Sequence, residues 1–117
     1  MKKIIALIFL FTVSIVNSQE VKPTYEVSGD MVKATYYFEN GSVKEQGFFK
    51  DKKLTGQWVS YNLEGEKTMI ANYQAGKKVG KWFSWKNNSL KEITYNNNKV
   101  FSVKNWSEDT RLANNKD

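Results

Sequence analysis

The chain contains no cysteine, no histidine and a single proline, Pro23, and its longest apolar run is the mostly aliphatic stretch from Ile4 to Val16. Each absence excludes something. Without cysteine there is no disulfide framework to brace a small domain, no thiol nucleophile, and no acylated cysteine to anchor a lipoprotein. Without histidine the commonest general base and a leading metal ligand are missing. The carboxylates do not fill the gap. Glu39, Glu64 and Glu66 fall in turns, where an acid is solvated, and Glu45 and Glu92 fall in strand-like runs with no apolar partner to raise a pKa. No glycine-rich phosphate loop, acidic calcium loop or paired metal-ligand spacing occurs. The sequence therefore predicts no catalytic residues, no metal and no cofactor, and a protein that is not an enzyme.

The apolar run is too short for the roughly 20 residues of a membrane-spanning helix and fits the roughly 7 to 15 of a signal-peptide core. It follows Met1-Lys2-Lys3 and ends at Val16-Asn17-Ser18. Residues 1–18 are thus expected to be a signal peptide, cleaved after Ser18 to leave Gln19 first, and the product to be secreted or periplasmic. Loss of Lys2 and Lys3 leaves 16 basic residues against 12 acids, a net charge of +4. That balance lacks the dense basic stripe of a nucleic-acid binder, so no nucleic-acid partner is expected.

What the chain does have is a line written twice. Gly47-Phe48-Phe49-Lys50-Asp51-Lys52-Lys53-Leu54-Thr55-Gly56-Gln57-Trp58 returns as Ala71-Asn72-Tyr73-Gln74-Ala75-Gly76-Lys77-Lys78-Val79-Gly80-Lys81-Trp82, with Gly56 in step with Gly80 and Trp58 with Trp82. A fixed period in the twenties marks supersecondary units that must stack to bury their apolar faces. Between turns rich in Asn, Gly, Asp and Lys, the runs are rich in Tyr, Phe, Trp and Val, which predicts strands near 32–38, 43–50, 55–61, 67–74, 79–86, 90–95 and 99–105, with a weaker signal at 25–28. The fold class is all-β, an antiparallel β-meander of about three 24-residue hairpin repeats. The third unit drifts, since one full period after Tyr73 falls on Asn97 and the tyrosine stands earlier, at Tyr95. The division is a lead-in segment at 19–31, a repeat domain at 32–106 and a polar tail at 107–117. Asn40-Gly41 reads as a type I′ hairpin turn, with positive φ at both central residues. Gly47, Gly56 and Gly80, each two residues before an aromatic, are expected to leave bare backbone for a ring from the next strand, so that the rings form a ladder down the sheet.

These segments, from Tyr37-Phe38-Glu39-Asn40-Gly41 through Gly80-Lys81-Trp82-Phe83-Ser84-Trp85, resemble the MORN repeat variant, with its tyrosine-rich strand, Asn-Gly turn, lysine-rich turn and Gly-x-Trp strand. The likeness spans about residues 36–100. It implies an elongated antiparallel sheet that binds or scaffolds without catalysis. Many bacterial members carry the label of YwqK-family antitoxins, which implies the alternative of an antitoxin or immunity-type protein that sequesters a cognate toxin.

Two candidate surfaces follow from the pattern. Turns one period apart should emerge on the same sheet edge, collecting Lys50, Lys52, Lys53, Lys77, Lys78 and Lys99 with only Asp51 among them, while the other edge collects Glu39, Glu64 and Glu66. The lysine row is a candidate for an anionic surface, including peripheral contact with a membrane; solubilised turns are the plainer explanation. Tyr61, Phe83 and Trp85 form a candidate aromatic face, most other rings being assigned to the core. The function expected is an exported binding or scaffolding module for a protein partner or an anionic envelope component, in an oligomeric state the sequence leaves open.

Overall fold

The structure, a computed structural model, describes residues 21–107. The expected signal peptide, its cleavage site and the polar tail beyond residue 107 lie outside them. The described residues form strands β1 (Thr24–Ser28), β2 (Met31–Tyr37), β3 (Val43–Lys50), β4 (Lys53–Tyr61), β5 (Lys67–Gln74), β6 (Lys77–Lys78), β7 (Gly80–Lys86), β8 (Ser89–Asn96) and β9 (Lys99–Ser107). All pair antiparallel in one open sheet in chain order, with β6 continuing the line of β7, and there is no helix among the described residues. The all-β meander is as expected. The weak signal at 25–28 is a full strand paired with β2 over five residues, so Thr24–Ser28, within the segment read as lead-in, belongs to the sheet.

Among the described residues no second layer covers the sheet, so its cohesion comes from contacts between strands. Cross-strand partners share a face, and the register places Ala34 opposite Gly47, Trp58 opposite Ala71 and Trp82 opposite Ile93 on one face. Rings run along this face in a ladder from Tyr25 through Tyr36, Trp58, Tyr73 and Trp82 to Tyr95, with Phe49 wedged against Trp58, at centroid separations of 5.1 to 6.5 Å. Most contacts are edge-to-face, the arrangement that the quadrupoles of aromatic rings favour. The fully buried core is small: Ala34, Trp58 and Ala71, with Tyr36, Phe49, Leu54, Tyr73 and Trp82 packed around it. On the other face a continuous row of partners runs Thr24, Thr35, Gln46, Val59, Ile70, Phe83, Glu92 and Lys104.

The glycines divide in a way the spacing does not predict. Trp58 lies flat on Gly47, whose missing side chain is what admits the indole; a Cβ there would fall inside the ring. At Gly56 and Gly80 an added Cβ would instead meet only ordinary contacts, 3.8 Å from Phe48 and 3.9 Å from Asn72. Their φ values of 67° and 68° explain them. Gly56 sits where the β3–β4 register slips, Gln46 pairing with Val59 but Phe48 with Thr55, and Gly80 sits where β6 breaks from β7. Where an irregularity in a strand takes a left-handed residue, glycine adopts that backbone with no Cβ clash. Room for a ring is thus required at Gly47, and conformation at Gly56 and Gly80.

The same local bonds return one period on. The Trp58 indole N–H donates to the Phe48 carbonyl at 3.1 Å, and the Trp82 indole N–H to the Asn72 carbonyl at 3.0 Å. The Gly41 amide donates to the Phe38 carbonyl, and the Gly65 amide to the Asn62 carbonyl. Asn40-Gly41 is not a type I′ turn: only Gly41 has positive φ, because the Asn40 side chain accepts the Ser42 amide and closes a longer loop. Positive φ at both central residues occurs instead at Asp51-Lys52, Ala75-Gly76 and Asn97-Asn98. The departure from the period after Tyr73 coincides with a shorter connection. Two residues, Asn87 and Asn88, connect β7 to β8, where five connect β2 to β3 and β4 to β5.

Candidate binding surface

Alternation decides where each lysine of the row stands. Phe49 and Leu54 belong to the ladder face, so the next pair, Lys50 and Lys53, lies on the opposite face. Tyr73 pairs with Lys78 and Gln74 with Lys77, which puts Lys78 on the ladder face and Lys77 opposite. Tyr95 pairs with Val100 and Asn96 with Lys99, which places Lys99 opposite as well. Lys52 sits in the turn itself with φ of 64°. The six lysines share an edge but not a surface. Lys78 is engaged within the sheet, its Nζ 5.1 Å from the Trp82 ring centroid and 5.2 Å from that of Tyr95, so it extends the ladder as a cation–π contact.

The basic edge is built by the turns at 29–30, 51–52, 75–76 and 97–98. The Gly76 amide donates to the Leu54 carbonyl at 2.9 Å and the Asn98 amide to the Lys78 carbonyl at 2.9 Å, so the last two turns are each tied to the hairpin before them. Between the second and third of these turns lies a recess of about 410 Å³ lined by Lys50, Asp51, Lys53, Thr55, Gln74 and Ala75. A second acid, Asp30, joins Asp51 on this edge and forms an ion pair with Lys50 at 3.1 Å. On the far edge Glu39, Glu64 and Glu66 are interleaved with Lys44, Lys67 and Lys86 at adjacent strand ends. One edge is basic and the other mixed; the full segregation expected from the turns alone is not there, because strand-end lysines occupy both edges.

The aromatic candidates are brought together only in part. Phe83 and Trp85 stack with centroids 6.2 Å apart and planes at 26°, on the face opposite the ladder, and both are half-buried. Tyr61 is on β4, across β5 from them and opposite Lys67. Residues that the turn-based reading missed stand on the same face as Phe83: Lys33 opposite Glu26, Lys81 opposite Thr94, and Lys104 opposite Glu92. Counting alternation through the strands finds them. On the ladder face, burial and then the nearby Tyr25 hydroxyl and the Glu45 carboxylate raise the pKa of Tyr36, while burial, then Glu45 and Tyr95, raise that of Tyr73.

Over the described residues, fold and surface define an open, single-layer antiparallel sheet with an interlocked aromatic face and a lysine-rich opposite face. Comparison of the chain with protein-family models, with characterised proteins and with solved structures gives no match.

Proposed function

We propose that this chain is an exported, non-enzymatic binding module, a MORN-like array of about three repeats whose sheet face engages an anionic component of the cell envelope or an acidic protein. The return of the indole and turn hydrogen bonds after one period supports the repeat reading. The observation that carries the binding reading is the placement of Lys50, Lys53, Lys77 and Lys99 on one side of the sheet, the side that also holds the stacked Phe83 and Trp85. Exposed ammonium groups near an anionic surface contribute about 1 kcal/mol each, and salt screens them. Aromatic rings on the same side add contact area that salt does not weaken. Cosedimentation with anionic and neutral vesicles at low and moderate salt tests this. The native protein should pellet with anionic vesicles at low salt and be released as salt rises. A variant with Lys50, Lys53, Lys77 and Lys99 changed to glutamine should stay in the supernatant. Equal pelleting of that variant would refute the lysine-face reading.

A further inference from the structure

We infer that the sheet is completed by a second copy of this chain, β1 of one molecule adding to β9 of the next so that the sheet runs on through the junction. Both outer strands are unpaired on one side among the described residues. They expose apolar side chains there, Tyr25 and Val27 on β1 and Val100, Phe101 and Val103 on β9, with Val27 84% and Phe101 78% accessible. An unpaired strand edge is a template for another strand.

The chemistry of the two edges selects the occupant. Residues 99–107 contain Lys99 and Lys104 and no acid; residues 24–28 contain Glu26 and no base. Pairing either edge with its own twin would set like charges together, whereas pairing β9 with β1 sets opposite charges together. Topology agrees. With β6 and β7 forming one line, the path from β1 to β9 has an even number of strands, so the two outer strands run in opposite directions. A copy shifted along the sheet without being turned over then presents β1 antiparallel to β9, with the same face up.

The register follows from β9 itself. Its bulge lies near Val100 and Phe101, where Tyr95 pairs with Val100 but Thr94 with Ser102, leaving 102–106 as regular strand that matches the five residues of β1. Aligning these sets Val27 against Val103 on the ladder face and Glu26 against Lys104 on the other. The latter pair extends the row Glu92, Lys104 with Glu26, Lys33, an unbroken alternation of sign across the junction. Pro23, which has no amide hydrogen to donate, then falls at the end of the paired segment. Because the two surfaces differ, the contact is heterologous and leaves a free edge at each end of every assembly.

Sedimentation velocity on the purified chain over rising concentration tests the inference. The native protein should show mass increasing beyond the dimer. Val27→Lys blocks only the β1 edge and Val103→Lys only the β9 edge, and each should weaken association by about tenfold or more. Mixed in equal amounts, they retain one competent edge each and should form a dimer that grows no further, since the remaining junction opposes two lysines. Circular dichroism should show the same sheet content in all forms. The inference is overturned by a native protein that stays monomeric, by either variant assembling undiminished alone, or by a mixture that stays monomeric.

Discussion

Trp58 and Trp82 occupy the same place in the two copies of one sequence line, donate the same indole hydrogen bond, and yet live in different surroundings. Trp58 is only 5% accessible, closed in by Tyr36, Phe49 and Tyr73 and seated on Gly47. Trp82 is half-buried, flanked by Tyr73, Tyr95 and the ammonium of Lys78. Local sequence sets the hydrogen bond; position along the sheet sets the burial. Both rings have aromatic neighbours on either side, but Trp58 has a third ring against it and bare backbone beneath it, so more of its surface is covered.

The sharpest way to break the comparison is to truncate both rings. Trp58→Ala should cost about 3–5 kcal/mol and Trp82→Ala roughly half of that, since burial and not the shared hydrogen bond sets the difference. Chemical denaturation of the two variants measures it. Equal losses would mean that the indole bond dominates.

The glycines sharpen it next. Gly47→Val should unseat Trp58 and approach the loss of that ring, whereas Gly56→Val, with no Cβ clash but φ of 67°, should cost about 1–2 kcal/mol for the left-handed backbone. A crystal structure or indole fluorescence of the Gly47 variant should report the ring displaced. An undisturbed Trp58 signal would contradict the close approach.

A smaller effect is expected from tyrosine ionisation. Tyr36 and Tyr73 have pKa values raised in the folded chain, so the neutral ring is the stabilised form. Their contribution is fully present below the unfolded tyrosine value, near 10, and is lost as pH rises from there through the folded values, because the unfolded chain ionises first. Stability measured across the alkaline range should fall accordingly. Glu45→Gln should bring both titrations, followed by tyrosinate absorbance, to lower pH. The smallest change is Lys52→Ala in an exposed turn, expected within about 0.5 kcal/mol of the native protein by the same denaturation; a larger loss would give that turn a structural role.

Much of the fold is legible in the sequence, because strand runs and turn residues alternate with a fixed rhythm. β3 and β5 begin and end where the pattern puts them, and β4 and β7 are off only at their starts. The role of the glycines is misread from spacing alone, since Gly-x-Trp fits a ring over bare backbone as well as a bulge with positive φ. One signal separates them. The position that a ring covers is Gly47 in one copy and Ala71 in the next, while the bulge glycines Gly56 and Gly80 are kept in both. A small residue suffices for contact, whereas the left-handed backbone strongly favours glycine. The lysine row is misread for a simpler reason: turn position says which edge a residue occupies, and only parity along the strand says which face. Lys77 and Lys78 are adjacent and so must part company. The two outer strands carry no motif; their charges gain meaning only once topology makes them the ends of the sheet.

The chain-order arrangement of the strands has a mechanical consequence. Each strand forms its backbone ladder only with the strands beside it in the sheet, and the described chain enters at one side edge of the sheet and leaves at the other. Tension on the two ends therefore loads the outermost ladder one bond at a time, a peeling geometry in which no group of bonds resists together. Pulled in an optical trap, the molecule should lengthen as a staircase, β1 and β9 detaching first at low force and the hairpins around Trp58 holding longest.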